Sequence, residues 1–286
     1  MKVLVTGKNG GISRAFRDYV LDKFTDIEVD MISVRGDEWK SEDFSEYDAI
    51  YHCAGIVHND NEDEIYRINR DLTFALAKKA KKDGVKQFIY LSSMAVYGLE
   101  TSVFDDRGFA YEDRPLKPTW NYGVSKKQAE ELIFLLNDDT FKVCAVCAPS
   151  VYGKGTESYL EYYFQFLERE SFKLMFTNLK RSVIYTDNLA HFVYLLIKNQ
   201  SSGVFCPQNK QMYSVAEFVR DIAKALNSPT KLIEVDEKDW PSDPALASEL
   251  DEIYGRVDYP YELSDIFDYE YDVVSTEESI KLCLEK

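Results

Sequence analysis

The chain has 286 residues, a formal charge of −16 at pH 7 and a sequence pI near 4.7. An acidic surface repels phosphate backbones and anionic lipid headgroups, so we expect neither nucleic acid nor a membrane as a partner. The sequence has no apolar run of membrane-spanning length and no charged leader before its first apolar stretch, so we expect a cytoplasmic protein.

Cysteine and histidine usage argues against a metal or disulfide framework. The five cysteines are scattered, mostly within apolar runs, and an odd number pairs poorly, so we expect reduced core thiols. Cys144 and Cys147 have the spacing of a metal or redox pair, but positions three apart on a strand face opposite sides. The three histidines show no ligand-like pairing, and we predict no metal site.

The first segment has the pattern of a dinucleotide site. Lys2 to Val5 predict a strand, the turn 6–13 (TGKNGGIS) follows, and residues 15–24 predict an amphipathic helix. This order places a pyrophosphate on the amides of a helix N-terminus. The alternative is an ordinary tight turn. The predicted cofactor-binding residues of this segment are Gly7, Asn9, Gly10, Gly11 and Ile12.

The end of the second strand, predicted at 27–34, decides how the adenosine ribose is read. Ser33 and Arg35 stand where an acid would accept hydrogen bonds from a free 2′-hydroxyl. Arginine suits a 2′-phosphate, so the sequence leans toward NADP. Asp37 could still approach the ribose, which keeps NAD open.

The third strand, predicted at 49–53, follows after so few residues that one unit of the sheet must be shortened. It ends in the small residues Cys53, Ala54 and Gly55, which would let a cofactor approach the backbone; a simple turn is the alternative. In the helix predicted at 66–82, we expect the polar Asn69 to bond to the backbone of the neighbouring strand.

A serine, a tyrosine and a lysine follow as the candidate catalytic residues. Tyr122 and Lys126 are four apart in a segment with helical spacing, so they share one face. A free phenol has a pKa of about 10, and a neighbouring ammonium moves it toward the working range. Ser93, at the end of the strand predicted at 88–91, could hold an alcohol against the phenolate. The trio predicts deprotonation of an alcohol.

Alternating strands and helices continue through the strand predicted at 141–148 and the helix predicted at 159–169, which indicates an α/β fold with a doubly wound parallel sheet. Asp187 or Asn188 would cap a helix running to residue 198. We predict a Rossmann domain over 1–148 and a smaller substrate-binding domain over 149–286, from which residues 183–206 return to the first domain.

Six short motifs occur in one order along nearly the whole chain. Together they resemble the extended short-chain dehydrogenase/reductase family, and within it the NAD-dependent epimerase/dehydratases that act on nucleotide sugars. The motifs are Thr6-Gly-x-x-Gly, His52-Cys-Ala-Gly, Ser92-Ser-x-Ala-Val-Tyr-Gly, Tyr122-x-x-x-Lys, Pro149-Ser-Val-Tyr-Gly and Arg181-Ser-Val-Ile-Tyr-Thr-Asp.

The resemblance implies a role for each matching residue. Tyr122 would be the base, Lys126 would lower its pKa and hold the nicotinamide ribose, and Ser93 would bond to the sugar hydroxyl. Arg181 falls where the family holds the diphosphate of a nucleotide sugar, although a surface salt bridge is the alternative. Ser150 stands where similar 4-epimerases often carry an amide near that diphosphate. The family also implies a homodimer.

Two further departures from the family pattern are visible. Ser13 replaces the third glycine, so we expect the helix and the strand to lie slightly farther apart. Met94 and Ala95 stand where the dehydratases carry Asp-Glu, so dehydration is not expected. The resemblance implies a nucleotide-sugar 4-epimerase with a transient 4-keto intermediate, in the synthesis of a surface-polysaccharide precursor. The alternatives are an NADP-dependent reductase of a keto-sugar nucleotide and a non-catalytic dinucleotide-binding sensor or scaffold.

Overall fold

The computed structural model describes residues 1–98, 116–118, 120–153, 155–156, 167, 171–175, 180–211, 213–235 and 267–284. The helix predicted at 159–169 lies outside these residues, apart from position 167. The described strands are β1 (Lys2–Thr6), β2 (Glu28–Ile32), β3 (Ala49–His52), β4 (Gln87–Ser93), β5 (Lys142–Ala148), β6 (Ser150–Tyr152), β7 (Ser171–Met175), β8 (Lys180–Arg181), β9 (Val183–Tyr185), β10 (Gly203–Phe205), β11 (Tyr213–Ser214) and β12 (Lys231–Val235).

The described helices alternate with these strands through the first half of the chain. They are α1 (Gly11–Lys23), α2 (Glu62–Tyr66), α3 (Thr73–Asp83), α4 (Asn121–Phe134), α5 (Thr186–Lys198), α6 (Val215–Ala225) and α7 (Thr276–Leu284). A π-helical turn (Arg67–Leu72) joins α2 to α3, and two 3₁₀ turns lie at Glu38–Lys40 and Met94–Tyr97. None of the helices in the described part of the chain combines the length and apolar character needed to cross a membrane.

Six strands form the central sheet in the order β10-β5-β4-β3-β1-β2, and every pairing is parallel. The chain runs from β1 to β2 on one side of β1 and then crosses to β3 on its other side. Loops leaving the carboxyl ends of β1 and β3 therefore diverge, and this switch point is where such sheets bind ligands. The predicted doubly wound α/β fold is confirmed.

Helices cover both faces of the sheet and bury its four inner strands β5, β4, β3 and β1, which explains why these strands are mostly apolar, whereas the edge strand β2 is partly exposed. On one face α1 and α5 pack through Phe16, Val20, Leu189, Val193 and Leu196, among others. On the other face α3 and α4 pack through Leu76, Ala77, Ala80, Ala129 and Ile133.

The predicted shortening of one unit lies between β2 and β3. A parallel crossover normally needs a helix over the sheet, and only the 3₁₀ turn Glu38–Lys40 forms an element in this connection. Trp39 and Phe44 take the place of a helix, because their side chains are 4% and 1% exposed and join the core that α3 and α4 cover. As a result β2 is the edge strand of the sheet.

Three predicted helix starts are wrong. The helix placed at residues 15–24 begins at Gly11. The helix placed at residue 66 begins at Glu62, where Asn61 Oδ1 accepts a bond from the amide of Asp63 (3.1 Å). The helix expected to start behind a cap at Asp187 or Asn188 already begins at Thr186. Asn188 lies inside that helix, and its amide side chain bonds to the carboxylate of Asp272 (2.8 Å).

A buried polar cluster joins the end of the described chain to α5 and to the two-stranded sheet of β6 and β9. Asn209, 1% exposed, is its centre. Its Oδ1 accepts bonds from the Tyr185 amide (3.0 Å) and from Asn188 Nδ2 (3.0 Å). Its Nδ2 donates to the Tyr152 hydroxyl (3.0 Å) and to Thr276 Oγ1 (2.9 Å). The side-chain amide of Asn209 thus bonds to one polar group each from β6, β9, α5 and α7.

We expect Asn209→Ala to lower the free energy of unfolding by about 3 kcal/mol, because truncation leaves several buried polar groups without partners. Urea unfolding followed by circular dichroism measures this. Asn199→Ala is the control, since Asn199 is exposed and bonds only to a carbonyl of its own helix among its described contacts. Equal losses in the two variants would contradict the central role of Asn209.

Candidate active site

The turn between β1 and α1 has a shape that only glycine permits. Gly7 has φ +82°, and a Cβ there would lie 3.1 Å from the amide nitrogen of Ala54. The amide of Gly10 donates to the Gly7 carbonyl (2.8 Å). The hydroxyl of Ser13, which replaces the third glycine, lies 2.6 Å from the Gly7 oxygen and 2.9 Å from that of Gly10. The Ser13 hydroxyl therefore bonds to the backbone at both Gly7 and Gly10 of the turn.

A cleft of about 440 Å³ opens at this turn. Eight predicted cofactor residues line it: Gly7, Asn9, Gly10, Ser33, Arg35, Cys53, Ala54 and Gly55. The remaining lining residues, which the sequence motifs did not indicate, are Lys8, Val34, Ile56, Glu64, Arg67, Ile68 and Leu72. Most of these come from the α2 segment and the π-helical turn, which fold over the cleft from a distant part of the sequence.

Basic residues that follow β1 and β2 line the cleft. Arg35 lines it, whereas Asp37 is not among its lining residues. The carboxylate of Asp37 pairs instead with Lys40 (Nζ–Oδ1 2.7 Å). Lys8 lies in the same wall. This geometry leaves Arg35 as the better placed of the two candidates for reading the ribose.

Gly11 and Ile12 do not line this cleft, and their predicted contact with the cofactor stays a prediction. A Cβ on Gly11 would collide with the carbonyl oxygen of Gly155 and would lie 2.8 Å from Cα of Thr156. Gly155 and Thr156 thus rest directly on the first residue of α1, and the Thr156 amide bonds to the Gly153 carbonyl (3.1 Å). Ile12 lines the adjoining pocket instead.

This second pocket, of about 210 Å³, contains the predicted catalytic trio. Ser93, Tyr122 and Lys126 all line it. It shares Cys53, Gly55 and Ile56 with the cleft, so the two adjoin.

The end of β4 orients Ser93. Its Oγ accepts a bond from the amide of Ala95 (3.2 Å), and that bond leaves the hydroxyl hydrogen available to a ligand oxygen. Met94 and Ala95 are 2% and 5% exposed, so the positions occupied by acids in dehydratases are here apolar and buried.

Lys126 has a buried side chain near the ring of Tyr122. Its side chain is 4% exposed, and Nζ donates to the Leu91 carbonyl (2.8 Å). Nζ lies 4.5 Å from the ring centre of Tyr90 and 5.7 Å from that of Tyr122. Burial lowers the pKa of Lys126 to about 8. In its charged form this group favours the phenolate of Tyr122.

Close backbone contact fixes the start of α4, which carries Tyr122. A Cβ on Gly123 would collide with the carbonyl oxygen of Ala95, so the helix sits directly on the turn that follows Ser93. The hydroxyl of Tyr66 donates to Asn121 Oδ1 (3.0 Å) and ties α4 to α2. Tyr122 is held by the helix and its neighbours on both sides.

The π-helical turn supports the site through Asn69, which is fully buried. The Ile56 amide donates to Asn69 Oδ1 (2.9 Å), and Nδ2 donates to the Ile56 carbonyl (2.8 Å) and to Ser125 Oγ (3.1 Å). The bond that we expect from Asn69 to the backbone of the neighbouring strand is made instead to Ile56, in the loop after β3. π-helical turns are frequent at functional sites, and this one joins the wall of the cleft to α4.

Of the three predicted substrate residues, Ser93 lines this pocket. Pro149 and Val151 line it, but Ser150 between them does not. The backbone of Arg181 pairs with Tyr213 in the antiparallel ladder of β8 and β11, and its side chain lies outside the described part of the chain. Ser150 and Arg181 stay predictions.

Known proteins with this fold include enzymes of two reaction types. A dTDP-4-dehydrorhamnose reductase from Bacillus anthracis, solved with NADP, matches with a TM-score of 0.74 at 19% identity over 99% of this chain and 98% of its own. A UDP-glucose 4-epimerase from Thermus thermophilus, solved with NAD, matches with a TM-score of 0.72 at 17% identity over 99% and 98%. Likeness at this identity shows the fold.

Sequence comparison is more specific. A UDP-glucose 4-epimerase from Vibrio cholerae is 34% identical over 193 residues, 63% of this chain and 58% of that protein. The chain spans between 49% and 59% of the length of the curated relatives that it matches. The profile of the NAD-dependent epimerase/dehydratase family matches residues 3–215, well over half of the chain. This chain therefore belongs to the NAD-dependent epimerase/dehydratase family.

Proposed function

We propose that the protein is an NAD(P)-dependent nucleotide-sugar epimerase that inverts C4 through a transient 4-keto sugar. One observation carries the proposal. Ser93, Tyr122 and Lys126 line one pocket, and this pocket shares a wall with the glycine-lined cleft. An acid–base tyrosine beside a dinucleotide site is suited to oxidising and reducing a sugar alcohol.

The cleft fits a dinucleotide on its own geometry. Gly7 lets the turn that would hold a pyrophosphate lie against the end of β3, because a Cβ there would be 3.1 Å from the amide nitrogen of Ala54. Gly7, Asn9 and Gly10 would hold that pyrophosphate. Lys126 and Tyr122 would meet the nicotinamide ribose. When bound, the cofactor would accept the C4 hydride and later return it to the opposite face of the sugar.

The protein's own residues would manage the proton. Tyr122 as phenolate would take the proton of the sugar 4-hydroxyl, and the ammonium of Lys126 would stabilise the charge on the phenolate beforehand. The Ser93 hydroxyl would donate to the sugar oxygen and hold it while it becomes a ketone. After the sugar turns in the pocket, Tyr122 would return the same proton, so the cycle consumes nothing.

An epimerase must keep its cofactor through both half-reactions. Gly155 and Thr156 contact Gly11 at the start of α1, next to the turn that would hold the pyrophosphate, and this contact supports retention. The similarity to a 4-epimerase, the most identical of the relatives described above, points the same way.

The substrate of this proposal is a nucleotide-diphosphate sugar. Arg181 and Ser150 would contact its diphosphate from the smaller domain, which we propose spans 149–286 apart from the returning segment 183–206. A homodimer and a role in supplying a surface-polysaccharide precursor are further parts of the proposal. None of the five cysteines, all of which lie in the described part of the chain, is in a disulfide, which fits a reducing, cytoplasmic location.

The second candidate is an NADP-dependent reductase of a keto-sugar nucleotide. Arg35 in the wall of the cleft favours it, because a 2′-phosphate needs a local cation in so acidic a protein. The third candidate, a sensor or scaffold that binds a dinucleotide without turnover, shares the cleft but would not need Tyr122.

The direct test combines mass spectrometry of nucleotide released by heating the protein with NMR of UDP-sugars and dTDP-sugars incubated with it. Retained dinucleotide and appearance of the 4-epimer support the epimerase. Net consumption of NADPH with a keto-sugar nucleotide would establish the reductase instead. Binding without turnover would leave the sensor, and binding of neither dinucleotide would overturn all three.

Tyr122→Phe should reduce kcat by roughly 10²- to 10⁴-fold, because the base is lost while the ring remains. Dinucleotide binding, measured by nicotinamide fluorescence, should change little. Tyr47→Phe is the control, since Tyr47 lies at the far end of the sheet and bonds to Asp30 (3.0 Å). Full activity in Tyr122→Phe would remove the proposed mechanism.

Arg35→Ser should weaken binding of NADPH by about 10- to 100-fold and leave binding of NADH nearly unchanged, since a charge-assisted bond to the 2′-phosphate is lost. Calorimetric titration of both cofactors measures the difference. Arg17→Ser removes a cation from α1 that pairs with Asp18 and serves as control. Equal affinity of the unmodified protein for the two cofactors would show that Arg35 does not read the ribose.

Gly11→Ala should speed release of a bound dinucleotide roughly tenfold or more, because the added Cβ must displace Gly155 and Thr156. Release is followed by stopped-flow fluorescence against excess competing nucleotide. Gly84→Ala is the control for an added methyl group away from the site, because a Cβ at Gly84 meets nothing within 4 Å. Unchanged release in Gly11→Ala would mean that this contact does not retain the cofactor.

A further inference from the structure

A buried carboxyl group on α4 has no part in the proton transfer described above. Glu130 is 3% exposed, although a carboxylate removed from water is costly unless it is paired and hydrogen-bonded. It lies four residues beyond Lys126, which itself lies four beyond Tyr122. The three side chains therefore follow one another along the same face of the helix.

The surroundings of Glu130 hold a carboxylate in place. The Ser92 hydroxyl donates to Oε1, and the Cys147 thiol lies 3.4 Å from the same oxygen as a second donor. Ser92 directly precedes the catalytic Ser93, and Lys126 bonds to the carbonyl of Leu91 just before it. Three consecutive residues of β4 thus contact the carboxylate, the ammonium and the pocket.

Lys126 and Glu130 each favour the charged form of the other. Burial lowers the pKa of Lys126 to about 8, and the Glu130 carboxylate is among the groups that raise it again. Burial also raises the pKa of Glu130 to about 7, against the bonds from Ser92 and Cys147 and the charge of Lys126. Above neutral pH Glu130 is ionised, and its negative charge favours the protonated form of Lys126.

The other titratable groups around this pair do not supply a negative charge that could replace that of Glu130. Burial raises the pKa of Tyr90 on β4 and of Tyr97 in the following 3₁₀ turn far above the working range. It raises the pKa of Cys53 to about 12 and lowers that of His52 to about 3, so both stay neutral. The remaining neighbours are Cys147 on β5, Cys206 after β10 and the exposed Glu131 on α4.

We propose that Glu130 is a positioning residue of the active site, whose buried carboxylate keeps Lys126 in its charged form beside Tyr122. The proposal rests on the proposed function only for the role of Tyr122. Its electrostatic part concerns two groups that are present whether or not the protein is an epimerase.

The sign of the effect follows from the charges. Replacing Glu130 by glutamine keeps the shape but removes the negative charge, so the ammonium of Lys126 becomes less favourable and its pKa falls further. For one charge about one helical turn away, the fall is about one pH unit or more. Tyr122 is twice as far from Glu130 along the helix, so the direct effect on the phenol is smaller.

The test is a pH titration of the Lys126 ε-carbon by NMR in protein labelled with [6-¹³C]lysine, with Lys126→Arg identifying the resonance. Glu130→Gln should lower the pKa of Lys126 by about one unit or more. Glu131→Gln, the same change one residue later on the solvent side, should leave it unchanged. This titration needs no substrate, so it can fail or succeed independently of the proposed activity.

Kinetics supply the second readout once a substrate is identified. The alkaline limb of the kcat profile should move to lower pH in Glu130→Gln by the same amount, and Glu130→Asp should restore part of the shift. If Glu130→Gln does not fold, Ser92→Ala replaces it, because loss of the hydroxyl donor keeps Glu130 protonated to higher pH and lowers the pKa of Lys126 in the same direction. An unchanged pKa of Lys126 in the folded variant would overturn the proposal.

Discussion

The burial of one ammonium group, that of Lys126, sets conditions that the surrounding structure has to meet. An amine shielded from water keeps its charge only if oxygens and aromatic faces replace its hydration. The Leu91 carbonyl and the ring of Tyr90 do this. Gly55 has no side chain, and a Cβ there would lie 3.3 Å from the ammonium nitrogen. The strand end that would face the cofactor is thus also shaped by the lysine.

The position of α4 follows from the same requirement. Lys126 can reach the Leu91 carbonyl only if its helix lies close to the end of β4, and Gly123 permits this because the helix backbone touches the Ala95 carbonyl. Asn69 then joins α4 to the loop beyond β3 through Ser125 and Ile56. Positioning of Tyr122 is therefore shared among α4, β4 and the π-helical turn, and no single bond determines it.

Much of this arrangement could be predicted from the sequence. The alternation of apolar strands and amphipathic helices gave the sheet, and the spacing of Tyr122 and Lys126 placed both in one pocket. The short connection after β2 could be read from chain length alone. These features are local, or they follow from the rule that parallel strands bring their carboxyl ends to one edge.

Other features depend on contacts between distant segments. Glu62 to Leu72 reach the cleft through tertiary packing, so Arg67 and Glu64 carry no local signal of a binding role. Gly11 fits the pattern of a phosphate turn, but the sequence does not indicate that a side chain there would collide with Gly155. Asn188 is a residue type typical of helix caps, but its side chain bonds to the half-buried Asp272, 84 residues away. Glu130 follows Lys126 at helical spacing, which was the available signal for it.

The cluster centred on Asn209 has a consequence for how the chain can be divided. The family profile ends at residue 215, yet Thr276 and Ser279 bond to the Asn209 amide and the Tyr152 hydroxyl inside the fold. Tyr271 is 1% exposed and packs edge-on against Phe192 of α5. The last described segment is therefore a covering layer of the Rossmann core. A fragment trimmed to the profile boundary would expose that core to water and to aggregation.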